Sequence, residues 1–113
     1  MDIEFSKGMV LEYWRVEKIC ESLLTALPAS EFKQQAAQLR YSVRQVERML
    51  APLALEVVDY THQRYEPNLP VQVINNEEVA GERDLVVTQT IEPTIVQRGE
   101  VVHLGRVIVA ERD

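Results

Sequence analysis

Residues 49–59, which read MLAPLALEVVD, mark the point at which the apolar period of the chain changes. Before this stretch apolar residues recur every three to four positions, which is typical of an α-helix. After it they recur every second position or more often, which is typical of β-strands. Pro52 and the β-branched residues that follow it end helical behaviour. The pattern predicts an α+β protein, with an antiparallel helical hairpin over residues 1–54 and a small, mainly antiparallel β domain over residues 55–113.

Two apolar runs in the first part of the chain each follow a heptad repeat. Their members are Met9, Tyr13, Val16, Cys20, Leu23 and Leu27, and then Phe32, Ala36, Leu39, Val43, Val46 and Leu50. Pro28 ends the first run, and Ser30 is expected to cap the second helix. Because the connection is so short, the two helices are expected to be antiparallel neighbours.

The apolar faces of this hairpin are too wide for the two helices to bury against each other. A second copy would cover them and give a four-helix bundle across a two-fold axis. We therefore expect a homodimer, with an interface formed by Met9, Tyr13, Val16, Cys20, Leu23, Leu39, Val43 and Val46. The alternative is that the hairpin packs on its own β domain.

The second part of the chain reads as short strands separated by turn signals. Strands are expected at 55–60, 71–74 and 85–91, the last continuing past Pro93 into residues 95–96. An acidic loop is expected over 75–84 and a turn over 97–100. A single closing strand is expected over 101–110, with Val107 and Val109 on one face.

Composition excludes several classes of protein. The 113 residues include 12 Lys and Arg against 18 Asp and Glu, a net charge of -6, which does not favour a nucleic-acid partner. The single cysteine, Cys20, excludes an internal disulfide and a cysteine-rich zinc site, and it indicates a reducing compartment. No apolar run approaches the roughly 20 residues of a membrane span, and the first residues lack the basic start of a signal peptide. We therefore expect a cytoplasmic protein with no membrane partner.

The residues that could carry chemistry form no recognisable catalytic or metal-binding motif. His62 and His103 lie far apart in the sequence, without the spacing of metal ligands. Cys20 occupies a heptad position, where it is expected to pack as a small apolar residue. We expect no cofactor and no enzymatic activity, and we expect the function to lie in binding another macromolecule. An acid–base role for His62 with Glu66 is the enzymatic alternative.

Three stretches follow one another in a recognisable order. They are the junction at 49–59, the segment YEPNLPVQVI at 65–74, and the segment QTIEPTIVQRGEVVHLGRVIVAE at 89–111. Together they resemble the C-terminal part of the GrpE family, the nucleotide exchange factors of Hsp70 (DnaK-type) chaperones. The second segment is similar to the family signature FDPNxHxAv. The third can be laid without gaps on the family's closing segment, where Gly99 meets the turn glycine. The preceding hairpin matches the short helices of the family's dimerisation bundle in length and period.

The resemblance implies that the β domain docks on the ATPase domain of an Hsp70-type chaperone and opens its nucleotide cleft. It implies a contact surface near the closing hairpin that includes Ile91, Gln97, Arg98, Glu100, His103 and Val109. For Ile91 and Val109 the alternative is a place in the core.

The chain also departs from the family. Glu100 and His103 stand where the closing segment of the family has arginines, and the family's long paired helix has no counterpart in these 113 residues. These differences support a second expectation, namely an interaction or scaffold protein that keeps the fold without exchange activity.

Overall fold

The computed structural model describes residues 2–81 and 83–112. The chain divides into two compact units, a helical unit over Met1–Ala54 and a β unit over Leu55–Asp113. The protein is therefore α+β, with the change of architecture inside the stretch at which the sequence period changes.

The helical unit consists of two helices, α1 (Ile3–Leu24) and α2 (Ala29–Leu50). The carboxylate of Asp2 caps α1 by accepting a hydrogen bond from the Glu4 N–H at 3.1 Å. The expected cap of α2 at Ser30 is wrong, because Pro28, two residues earlier, occupies the cap position and the helix begins at Ala29. Proline has no N–H that would need an acceptor there, and its carbonyl accepts hydrogen bonds from the N–H groups of Glu31 and Phe32 at 2.9 Å.

The buried face of α1 differs from the heptad seam. Ser6, Val10 and Trp14 are the buried residues of the helix, with spacings of four. Met9 and Val16, two members of the heptad series, are 58% and 54% exposed. Consecutive residues are rotated by about 100° around a helix, so the buried row lies beside the exposed one. Helix α1 thus carries two apolar rows, and only one of them is buried.

A short 3-10 turn, Ala51–Leu53, follows α2 and ends at Ala54, whose φ of 56° is left-handed. The β unit begins at the next residue. Its strands are β1 (Leu55–Val58), β2 (Val71–Val73), β3 (Leu85–Glu92), β4 (Thr94–Gln97), β5 (Glu100–His103) and β6 (Gly105–Glu111).

These strands form two three-stranded sheets. The first has the order β1-β4-β5 and is antiparallel throughout. The second has the order β2-β6-β3, in which β6 pairs antiparallel with β3 and parallel with β2. The expectation of a mainly antiparallel domain is confirmed.

Two expected strands are each divided in the structure. The segment around Pro93 forms β3 and β4, which belong to different sheets, and the expected closing strand breaks at Leu104 into β5 and β6. A second correction concerns the loop over 75–84, which contains a 3-10 turn at Asn76–Val79. The chain therefore crosses from the second sheet to the first at Pro93 and returns at Leu104.

One cluster of buried residues in the β unit lies on the second sheet. It is formed by Val73, Val87, Val107 and Val109, and the last two are the alternate residues of β6 that the sequence placed on one face. Partly buried side chains pack around them, namely Tyr60, Tyr65, Val71, Val79 and Leu85. Branched aliphatic residues suit this position because their stiff side chains pack well on a pleated surface.

The side chain of Asn75 extends the pairing of β2 with β6. Its amide nitrogen donates to the Val109 carbonyl at 2.7 Å, and its amide oxygen accepts from the Val109 N–H at 3.1 Å. One side chain thus replaces a main-chain pair of the ladder. The main chain can then leave the sheet without leaving the groups of β6 unpaired.

Candidate functional site

The closing hairpin, β4 and β5 with their turn, contains most of the predicted contact residues. Gln97 pairs with Glu100, so Arg98 and Gly99 form a two-residue turn. Both have positive φ, 49° and 83°, which is the geometry of a type I′ turn. This turn type matches the twist of the two strands and projects its central residues away from the sheet. Arg98, Gly99 and Glu100 are all exposed.

Thr94 fixes the base of this hairpin where the chain passes between the sheets. Its side chain is fully buried, and its hydroxyl donates to the Pro70 carbonyl at 2.8 Å. The same oxygen accepts a hydrogen bond from the Gly105 N–H at 3.2 Å. One hydroxyl therefore joins the start of β4, the start of β6 and the residue before β2.

Glu92 and His103 add a second link at the same crossing. His103 Nε2 lies 3.1 Å from Glu92 Oε1, and both side chains are partly buried, at 24% and 18% exposure. Each residue is the last of its strand before the chain changes sheet. Arg106 lies opposite Glu92 in the ladder of β3 and β6 and places a cation on the same edge. The pair holds the end of β5 against the end of β3.

The structure brings four of the six predicted contact residues together on β4, β5 and their turn. Arg98 and Glu100 are exposed, whereas Gln97 and His103 are half-buried. The other two residues lie elsewhere in the β unit. Ile91 is a half-buried bulge residue of β3. Val109 is 1% exposed, so its side chain cannot contact a partner, and its alternative place in the core is the correct one.

Sequence reasoning missed Glu92 and Thr94, because it expected one strand to continue past Pro93. The signal that could have found them is the similar length of the segments on either side of the turn. Pro93 and Leu104 lie at nearly equal distances from Gly99, so a hairpin folded at Gly99 brings their neighbours together.

A second candidate site is an exposed apolar stripe on α1. Its members are Phe5, Met9, Val16, Ile19 and Leu23, each more than half exposed. Spacings of four, seven, three and four place them on one face of the helix. Among the residues predicted for a dimer interface, Met9, Val16 and Leu23 belong to this stripe. The others are half-buried in the hairpin, namely Tyr13, Cys20, Leu39, Val43 and Val46.

An apolar cavity of about 240 Å³ adjoins the stripe at the end of the hairpin away from its turn. Helix α1 lines it with Phe5, Ser6, Met9, Val10 and Tyr13. Helix α2 and the 3-10 turn complete it with Val46, Met49, Leu50 and Leu53. Met49 is 73% exposed. The lining contains no charged side chain, so it fits apolar groups.

The hydroxyl of Tyr13 is buried and has no hydrogen-bond partner among the described residues. Burial raises the pKa of this phenol above 10.0, and the negative charges of Glu17 and Glu47 and the nearby Cys20 raise it further. Both effects oppose the charged form of the ring oxygen.

A separate groove between the helices has a different character. It is lined on one side by Glu17 and Glu21 and on the other by Arg40, Arg44 and Glu47, above apolar residues. Its charged rims distinguish it from the uncharged cavity beside the stripe. The groove and the cavity are therefore chemically distinct.

The described residues contain no group of three or more His, Cys, Asp or Glu arranged to hold a metal ion. His62 is exposed and lies in a turn, where its main-chain N–H donates to the Val87 carbonyl at 2.7 Å. His103 lies at the end of β5. In the described part of the chain, neither helix is apolar enough over a sufficient length to cross a bilayer.

Comparison of the chain with family models, with curated proteins and with solved structures finds no match.

Proposed function

We propose that the protein is a GrpE-like nucleotide exchange factor that binds the ATPase domain of an Hsp70-type chaperone through its β unit. The proposal is supported first by the similarity of residues 49–59, 65–74 and 89–111 to the motifs of that family. The structural observation that supports it is the closing hairpin. Its turn exposes Arg98 and Glu100, while Thr94 and the pair of Glu92 and His103 fix its base.

A hairpin held in this way suits the task of opening a cleft. Its tip enters a partner without needing to order itself, so little binding energy is lost to conformational entropy. Binding that favours the open nucleotide cleft lowers the affinity for ADP. By linkage, ADP lowers the affinity for the exchange factor by the same factor. The proposed mechanism is therefore allosteric and needs no catalytic side chain on this protein.

The test is release of a fluorescent ADP analogue from Hsp70-type proteins of the source organism. We expect faster release from one of them in the presence of the wild-type protein. Glu100→Lys should weaken this effect, because it reverses a charge beside the tip of the hairpin. Glu77→Lys, which reverses an exposed charge in the 3-10 turn of the β unit, is the matched control and should act like wild type. A folded wild-type protein that accelerates release from none of these chaperones would refute the proposal.

We also propose that the protein is a homodimer in which the stripe on α1 packs against a second copy in a four-helix bundle. The stripe has the heptad spacing of a helix–helix seam, and exposed apolar residues in such a row favour association. The uncharged cavity beside Phe5 and Met9 offers room for apolar side chains of the other copy. The charged rims of the groove are expected to lie outside this interface, although Leu39 and Val43, two of the residues predicted for the interface, also line that groove.

Light scattering at micromolar concentration tests the dimer. The expected mass is twice 13.0 kDa for the wild-type protein. The double variant Met9→Glu, Val16→Glu should be a folded monomer, because it places charges in the stripe. The double variant Arg40→Ala, Arg44→Ala alters the charged groove and should remain a dimer. A wild-type mass of 13.0 kDa would overturn the proposed dimer without affecting the proposed exchange activity.

The second candidate function is a scaffold protein without exchange activity. It is favoured by Glu100, which places an exposed carboxylate where the resembling family has an arginine. Such a charge change alters the choice of partner more than it alters the fold. Binding of an Hsp70-type protein without any change in ADP release would support this function over the first.

A further inference from the structure

Arg98 has an unusual backbone conformation for its residue type. It occupies the first central position of the type I′ turn with a φ of 49°. Both central positions of such a turn require positive φ, and Asn, Asp and Gly suit the first of them. The Cβ of an L-residue disfavours this conformation, and the short polar side chains of Asn and Asp offset the cost by hydrogen-bonding locally, which arginine does not do here. The turn would therefore be more stable with a residue other than arginine.

Two of the other residues with positive φ, Asp84 and Ala54, take part in hydrogen bonds. Asp84 accepts a hydrogen bond from Arg64 at 2.9 Å, and its carbonyl accepts one from the Arg112 N–H at 2.7 Å. Ala54 closes the 3-10 turn through its N–H, which donates to the Ala51 carbonyl at 3.0 Å.

Within residues 2–81 and 83–112, by contrast, the guanidinium of Arg98 has neither a hydrogen-bond partner nor an ion-pair partner. Arg64 is paired with Asp84, and Arg106 stands opposite Glu92 in the sheet. The β unit contains five arginines, no lysine and eleven acidic residues, so a cation is scarce there. Arg98 places one of these cations at the exposed tip of a hairpin, where the fold makes no use of it.

We infer that Arg98 is the anchor of the hairpin in its complex, and that it binds a carboxylate of the partner with both arms of its guanidinium. This inference rests on the proposed function, in which the partner is an Hsp70-type ATPase domain. The planar guanidinium matches the geometry of a carboxylate and forms two parallel hydrogen bonds with it. The hydrogen bond between Thr94 and Gly105 fixes the base of the hairpin. The tip is therefore held in one position, and Arg98 needs little rearrangement to reach a carboxylate of the partner.

The decisive variant is Arg98→Asn, because asparagine is preferred at this position of the turn. It should raise the midpoint of urea denaturation and, at the same time, raise the concentration needed for half-maximal acceleration of ADP release by about tenfold or more. Stability would then rise while the exchange activity becomes weaker. A residue that serves only the structure is expected to change both in the same direction. Arg98→Lys keeps the charge but lacks the planar guanidinium. It should raise the half-maximal concentration by a smaller factor than Arg98→Asn does, with little change in stability.

His62→Asn is the matched control. His62 also has positive φ, 74°, and an exposed side chain, but it lies outside the hairpin. The variant should raise the denaturation midpoint and leave the half-maximal concentration unchanged.

The outcomes separate the inference from the proposed function. If the wild-type protein accelerates release and Arg98→Asn does so equally well, the inference is wrong and the function stands. If Arg98→Asn is less stable than wild type, the arginine serves the turn itself and the inference is also wrong. If the wild-type protein accelerates release from no Hsp70-type protein, the function fails and the inference fails with it.

Discussion

Gly105 begins β6 at the closest approach of the two chain segments that pass between the sheets. A Cβ placed on Gly105 lies 2.7 Å from Thr94 Oγ1, 2.9 Å from the Glu92 carbonyl oxygen and 2.9 Å from the Thr94 nitrogen. The hydroxyl could rotate away, although it would then lose its hydrogen bonds. The two main-chain atoms belong to the neighbouring segment and cannot move without separating the strands. Gly105→Ala should therefore open the crossing.

The expected cost follows from these contacts. Overpacking of a buried site costs about 1–3 kcal/mol. Loss of the hydrogen bond from the Gly105 N–H to Thr94 Oγ1 adds about 1 kcal/mol. Alanine has a lower conformational entropy than glycine in the unfolded chain, which offsets about 0.4–1 kcal/mol of this cost. We expect the free energy of unfolding of the β unit to fall by about 2 kcal/mol, which corresponds to a decrease of roughly 8–16 °C in Tm for a domain of this size.

The assay is urea denaturation followed by two signals. Amide NMR resonances of β4, β5 and β6 report the β unit, and fluorescence of Trp14, the one tryptophan of the chain, reports the helical unit. Gly8→Ala is the matched control, because a Cβ at Gly8 meets no heavy atom within 4 Å. That change lies within α1 and should raise stability by about 1 kcal/mol. A Gly105→Ala protein as stable as wild type would contradict the close packing at Thr94 from which the argument starts.

Three further changes have expected outcomes in urea denaturation. Asn75→Asp removes the amide donor to the Val109 carbonyl and places a carboxylate beside it, so stability should fall by about 2 kcal/mol, and an unchanged midpoint would refute the role of this side chain. Tyr13→Phe removes a buried hydroxyl without a hydrogen-bond partner among the described residues and should raise stability by about 1 kcal/mol. Because the pKa of this phenol is raised above 10.0 in the folded state, wild-type stability should fall as pH rises above that value, and the variant should lose less of it. Thr90→Val removes the hydroxyl that lies 2.8 Å from Thr61 Oγ1 and should cost about 1 kcal/mol, whereas a stabilised variant would show that this contact contributes nothing.

The elements of the fold were predictable where a local signal decides them. The change of period at residues 49–59 separates helices from strands in the structure as in the sequence. Gly99 marks the turn of the closing hairpin, and the alternation of Val107 and Val109 identifies the buried face of β6. In each case the residues concerned are close in sequence, so their pattern contains the information.

Features that depend on distant residues were not predictable in this way. Helix α1 has two neighbouring apolar rows, and the sequence alone cannot say that Val10 and Trp14 are buried while Met9 and Val16 are exposed. The division of the last strands at Pro93 and Leu104 also escaped prediction, since strand-forming residues stand on both sides of each point. For the candidate site, the tip of the hairpin was predictable from its turn, but the link between Glu92 and His103 depends on that division.

The paired crossings at Pro93 and Leu104 tie the folding of the two sheets together. β3 continues directly into β4, and β5 directly into β6, so each of these two segments supplies one strand to each sheet. Neither sheet can open alone without pulling on Thr94 and Gly105. Amide protons in both sheets should therefore exchange through a single opening event with one free energy, and not through separate local openings. We therefore expect the β unit to unfold as one cooperative unit in spite of its two small sheets.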